Sequence, residues 1–170
     1  MSTFEHKMEA PKTVNCKVIT VSDTRDMNTD KSGKLMVELL EQKGHQVIDY
    51  VIVKDEATQI KEEILSGCAM KEIDVILTNG GTGIAARDVT IETIKGLLEK
   101  EIVGFGELFR MLSYQEDIGS AALLSRAIAG VVKNKAVFSI PGSSGAVKLA
   151  MNKLILPEIG HVVREIKKDL

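Results

Sequence analysis

Three short runs rich in β-branched residues, NCKVITVS (15–22), HQVIDYVIVK (45–54) and DVILT (74–78), are separated by segments that switch to helical spacing. Between the first two, GKLMVELLEQKG places Leu35, Met36, Leu39 and Leu40 on one side and ends at Gly44, a helix-stop residue. EATQIKEEILSGCAMKE (56–72) sets Ile60 and Ile64 against a charged face, and VTIETIKGLLEKE (89–101) resumes the period after the third run. Strand, helix, strand, helix, strand, loop, helix is the order of an α/β chain with a parallel sheet covered by helices on both faces. The runs are continuously apolar rather than alternating, as strands buried on both faces should be.

The second half reads as more helical. Helical segments are expected over GFGELFRMLSYQ (104–115) and IGSAALLSRAIAG (118–130). VVKNKAVFSI (131–140) has Asn134-Lys135 between two β-prone runs, a hairpin or a strand entry, and 140–169 closes with one long helix or two split at Pro157. Residues 1–13 are expected as a polar tail, and 14–170 as a single domain, within the size range of ~100–200 residues for one core.

Composition removes several function classes. Twenty-two basic against 24 acidic residues leave a net charge of −2 without any block of like charge, so no basic stripe for nucleic acid is present. No apolar run reaches the ~18 residues of a membrane span, and MSTFEHKMEAPKTV lacks the apolar core of a signal peptide. A cytoplasmic chain is expected. Cys16 and Cys68 have neither disulfide nor zinc spacing and are expected as buried structural thiols. His6, His45 and His161 are scattered; only His161 and Glu165 share a helical face, which is not the H-E-x-x-H pattern, so no zinc site is expected.

The chemistry concentrates where strands end. SDTRD follows the first run, KDE the second, TNGGTGIAARDVT (78–90) the third and PGSS the VFSI segment. In an open α/β sheet those loops form the ligand edge. Gly83 is followed by Ile84 rather than Lys, so the loop is no Walker A motif. GTGIAA fits G-x-G-x-x-[GA], but a helix end, LLEKEIVG, lies where the acid of a dinucleotide site belongs, so a nicotinamide oxidoreductase is the weakest reading. Asp55 and Asp88 each stand before a helix, where capping is the commonest employment of a carboxylate.

TVSDTRD…DKSG (20–33), VKDE (53–56), TNGGTGIAARDVTIET (78–93), GFGELFRMLS (104–113), LLSRAIAG (123–130) and IPGSSGAV (140–147) together resemble the molybdopterin-binding family, which includes the molybdenum cofactor biosynthesis protein B group and the molybdopterin adenylyltransferases. The matches cover nearly everything beyond the tail, in order. The resemblance implies a three-layer α/β sandwich with a mostly parallel central sheet, assembled as a trimer or a hexamer of two trimers. It implies transfer of AMP from ATP, with Mg²⁺, to the terminal phosphate of molybdopterin, releasing pyrophosphate, and a downstream partner that inserts molybdate. Some relatives of the protein B group lack the two functional acids. This chain has both, Asp55 and Asp88, while Lys54 and Ile91 stand where the transferases commonly carry Pro. A non-catalytic pterin carrier of the same pathway is the alternative.

Set on these residues, the expected roles are as follows. Asp55 and Asp88 are catalytic and hold Mg²⁺, which favours one or two carboxylates plus phosphates and water. Gly80, Gly81, Thr82 and Gly83 cradle phosphate through backbone N–H groups at a helix N-terminus. Ser22 and Asp23 place the nucleotide or the substrate phosphate, and Ser143 and Ser144 form a second anion site for the pterin. Arg87 and Arg126 either pair with phosphates or form ordinary salt bridges.

Overall fold

The computed structural model describes residues 2–170. The chain runs α1 (Thr3–Glu9), β1 (Asn15–Val21), α2 (Lys31–Gln42), β2 (Gln46–Val53), α3 (Ala57–Ala69), β3 (Val75–Asn79), α4 (Thr90–Leu97), β4 (Lys100–Glu101), α5 (Val103–Glu116), a 3-10 turn (Gly119–Leu124), β5 (Ile128–Val132), β6 (Lys135–Ile140), α6 (Ser144–Ala150), a π-helical stretch (Met151–Ile155) and α7 (Leu156–Lys167). The sheet order is β2-β1-β3-β6-β5-β4. β2, β1, β3 and β6 are parallel; β5 and β4 are antiparallel to their neighbours. This is the expected α/β three-layer architecture.

Neighbouring residues of one strand feed opposite layers, because side chains alternate across a sheet. Val18, Val75 and Leu77 join Met36, Leu40, Phe105, Phe109, Phe138 and Val147 in one core. Ile19 and Ile76 join Ile60, Ile64, Ile73, Ile94 and Val137 in the other. Both faces of β1 and β3 are therefore dry, which is why their sequences carry no alternation. Cys16 and Cys68 are buried and free as expected. Burial pushes the Cys16 thiol up to about 12, with the nearby negative charge of Asp74 adding to the shift.

Three segments differ from the sequence expectation. Residues 3–9 are helical rather than a tail: Ser2 and Glu5 form a reciprocal capping box. The segment 118–130 is not a helix. Its first half is the 3-10 turn and its last three residues open β5, IAGVV, which pairs with β6 from Ile128↔Ser139 to Val132↔Lys135. The turn between those strands is Lys133-Asn134, both left-handed at φ 46° and 64°, one residue earlier than the spacing suggested. That is the geometry of a two-residue hairpin whose twist matches the strands. Pro157 does not split the C-terminal helix. It falls in the first turn of α7, where the missing N–H is tolerated, and the π-helical stretch carries the chain there from α6.

The parallel strands all point their carboxyl ends to one edge of the sheet. β5 runs the other way, so it begins at that edge instead of ending there. Residues just before β5 thus join the loops that follow β1, β2, β3 and β6.

Candidate functional site

These loops enclose a cleft of about 490 Å³, within the ~300–1,000 Å³ usual for small-molecule sites. Of the residues expected at the site, Ser22, Asp55, Gly80, Gly81, Thr82, Gly83, Asp88 and Ser143 line it. Asp23 lies in the adjoining depression beside Lys54, and Ser144 is exposed at the start of α6. Both carboxylates therefore share one cavity.

Neither acid is a helix cap. Val89 and Glu56 occupy the cap positions of α4 and α3, and no side chain caps either helix. The glycines make room for the acids. A Cβ on Gly81 would collide with Thr90 Oγ1 and come within 2.8 Å of Asp55 Oδ1, and one on Gly83 would lie 2.5 Å from Asp88 Oδ2. Gly80 and Gly81 both have positive φ, at 99° and 66°, a backbone that L side chains rarely adopt.

The loop's hydrogen bonds are lopsided. The Gly81 carbonyl accepts from Thr90 N at 3.1 Å. Arg126 Nε donates to the Thr82 carbonyl at 3.0 Å, and its Nη2 to the Gly83 carbonyl at 2.6 Å. The amides of Gly81, Thr82, Gly83 and Ile84, by contrast, donate to no acceptor among the described residues. A buried or half-buried amide seeks a partner, and a run of such donors suits an anion. Gly80 is the exception: its N–H is spent on the Ile140 carbonyl at 3.0 Å, so it shapes the cradle without donating to it.

Asp55 and Asp23 face one another: the Asp55 N–H donates to Asp23 Oδ1 at 3.1 Å, and the Asp23 backbone N–H is turned toward the Asp55 carboxylate. Burial, and then the negative charges of Asp23 and Asp88, push the Asp55 pKa above the ordinary carboxylate range. Asp88 Oδ2 accepts from Ala85 N at 2.9 Å, which folds it back over the loop. Thr90 Oγ1 is buried without any partner. Two acids of the same sign and an orphaned hydroxyl beside them fit a divalent cation, which relieves the repulsion and can take oxygen ligands from both.

The remaining residues brace the cleft. Arg87 makes a two-pronged pair with Asp23, at 2.6 and 3.0 Å, and reaches Glu56 at 2.9 Å, so it is committed to the protein rather than aimed at a ligand. That pairing holds Asp23 well below its usual range, chiefly through the Arg87 hydrogen bonds. Ser22 Oγ accepts from Thr24 N and Arg25 N and fixes the turn after β1. Ser143 caps α6 by accepting from Ala146 N at 3.1 Å.

Two cleft features escaped the sequence reading. Arg25, expected only as part of a polar loop, lines the cleft and ties it together: Nη1 donates to Ser32 Oγ at 2.6 Å and Nη2 to the Gly142 carbonyl at 2.7 Å. Ser32 passes the contact to Asn79, and Asn79 to Thr20, all buried. Arg126, weighed as a phosphate ligand or a salt-bridge residue, does pair with Glu92, but its unexpected role is to grip the loop carbonyls. No local signal marks an arginine for carbonyls distant in sequence.

A model of a probable molybdopterin binding domain matches residues 17–161. The molybdenum cofactor biosynthesis protein B of Bacillus subtilis is 66% identical over 99% of this chain and 99% of its own length. A crystal structure of a molybdenum cofactor biosynthesis protein B superposes with a TM-score of 0.91 at 62% identity, covering 94% of this chain and 99% of that one. The tungsten cofactor synthesizing protein MoaB from Pyrococcus furiosus follows at 0.83 and 41%, covering 93% and 99%.

Proposed function

The chain belongs to the molybdopterin-binding domain family, and from that premise we propose that it acts in molybdenum cofactor biosynthesis by adenylylating molybdopterin with ATP and Mg²⁺. The observation that carries this reading is the pairing, in one cleft, of an amide run with no internal acceptors and two acids that cap no helix.

In the proposed reaction an oxygen of the pterin's terminal phosphate bonds to the α-phosphorus of ATP. The bond from that phosphorus to the β-phosphate oxygen breaks, and pyrophosphate leaves with the electron pair. A phosphate monoester has its second pKa near ~6, so the nucleophile is already an anion at neutral pH. The cleft lining accordingly has no His, Cys or Lys to serve as base. The task left to the protein is to bring two anions together.

The amides of Gly81, Thr82 and Gly83 and the N-terminus of α4 bind phosphate oxygens. Arg25 places a guanidinium at the wall shared with Gly142 and Ser143. Asp55 and Asp88 hold Mg²⁺, which when bound neutralises charge on the phosphates. Thr90 lies beside Asp55 and Gly81 to donate to a ligand or its water.

The decisive assay is pyrophosphate release from ATP with molybdopterin and Mg²⁺. Release that stops without pterin supports the transferase. Tight pterin binding without release supports the second reading, a carrier delivering pterin to a molybdate-inserting partner, which Lys54 and Ile91 favour.

Assembly enters the same proposal. Val103, Leu108, Met111 and Tyr114 on α5, with Leu123 and Leu124 beyond it, are exposed apolar residues, and Leu124 also lines the cleft. We infer that further copies of the chain cover this face in a trimer or a hexamer.

A further inference from the structure

A second cluster of donor atoms lies away from the cleft, between the first and last helices. His161 and Glu165 are one turn apart on α7, and His6 reaches them from α1. One donor atom from each of the three lies within 4.8 Å of the others. Glu165 Oε1 is 3.2 Å from His6 Nδ1 and 3.9 Å from His161 Nε2. In a tetrahedral zinc site with bonds of ~2.0–2.1 Å, ligand atoms stand about 3.4 Å apart. The two measured spacings bracket that value.

The surroundings also suit a metal. Glu158 Oε2 lies 2.9 Å from His161 Nδ1, a carboxylate placed to orient the ring through Nδ1 while Nε2 faces Glu165. A carboxylate behind a ligating histidine is the usual support of such sites. The rings of His6 and His161 meet edge to face, 5.9 Å between centroids, so neither is stacked flat against the other.

We propose that His6, His161 and Glu165 form a Zn²⁺ site, with water as the fourth ligand and Glu158 orienting His161. The ion takes the place of the direct contact between His6 and Glu165. It shares Glu165 with Arg164, which donates to Oε1 at 2.7 Å and also holds Glu9, and with Lys168 on Oε2. The site's effect is on the N-terminus. None of the residues of α1 is buried, and it is held to α7 by ion pairs from Lys7 and Glu9 and by the contact of His6 with Glu165. A metal ligated from both helices adds a link that does not depend on screened surface charge.

The test uses tag-free, metal-stripped full-length protein titrated with Zn²⁺ and, in parallel, Mg²⁺. One Zn²⁺ per chain is expected, with protection of the Lys7 bond from trypsin and no comparable effect of Mg²⁺. His6→Gln and His161→Gln should each weaken Zn²⁺ binding by about tenfold or more, and Glu158→Gln by about tenfold. Circular dichroism establishes that each variant is folded, and His45→Gln serves as a histidine removed elsewhere. Zn²⁺ affinity unchanged in both His6→Gln and His161→Gln, or no trypsin protection, overturns the proposal.

Discussion

Arg126 donates to the Gly83 carbonyl at 2.6 Å, so a side chain entering β5 holds the backbone of a loop more than forty residues earlier in the chain. With the Thr82 carbonyl also engaged, the loop's acceptors are satisfied by protein and its donors are left for a ligand.

Arg126→Ala should therefore loosen the cradle. Hydrogen bonds from a charged donor are worth about 1.5–3 kcal/mol each when a buried partner is left behind. The expected result is a lower thermal midpoint together with an increased KM for ATP. Arg126→Lys, which cannot span two carbonyls with a planar fork, should recover little of either. Wild-type KM in Arg126→Ala shows that the loop stands without it.

Asp55→Asn and Asp88→Asn, made separately, should reduce pterin-dependent pyrophosphate release by about 10²–10³ while leaving pterin binding intact. Neither acid caps a helix, and the amide oxygen of an Asn at 88 can still accept from Ala85 N, so neither change should lower stability. Asp55→Asn should raise it at neutral pH, because burial and two like charges disfavour the ionised carboxylate there. Paired melting curves and turnover check both halves.

Thr90→Val keeps the shape of the side chain and removes its unpartnered hydroxyl. A buried hydroxyl without a partner costs about 1–3 kcal/mol, so the variant should melt higher than the parent. If the hydroxyl serves a bound ligand, ATP-dependent turnover falls in the same protein. Higher stability with full turnover assigns the hydroxyl no function.

His45 is buried, its Nδ1 accepts Val14 N at 3.1 Å, and burial lowers its pKa below the ordinary 6.5. The unfolded chain then takes up a proton before the folded one does, so stability falls as pH drops from about 6.5. The slope is at most about 1.4 kcal/mol per pH unit for one proton. Chemical denaturation between pH 7.5 and 5.5 should show a flatter profile for His45→Gln, whose amide oxygen still accepts from Val14.

Sedimentation of the parent should give trimers or pairs of trimers. Met111→Glu, a charge placed on the exposed apolar face of α5, should shift the protein toward monomer. A monomeric parent removes the assembly proposal.

The parallel half of the fold was legible because β1 and β3 are buried on both faces, the edge strand β2 is rich in β-branched residues, and helices alternate cleanly with these strands. The glycine loop was legible because it combines positive-φ positions with acids. What the sequence hid depends on contacts between distant segments. LLSRAIAG has helix-forming residues at its start, and only pairing with β6 makes its end a strand. The capping role expected of Asp55 and Asp88 failed because the helices begin one residue later, at positions that leave both acids beyond the cap. The N-terminal helix rests on a local capping box, Ser2 with Glu5, that the absence of apolar periodicity concealed.

The Lys133-Asn134 hairpin is at the margin of the sheet opposite the cleft, yet it acts as the ruler for it. Its two residues set how β5 slides along β6, and that offset determines where Arg126 arrives. One residue added there would shift the alignment by a full step and turn each side chain of β5 to the other layer. A change as far from the chemistry as this sheet permits would then disarm the loop without touching it.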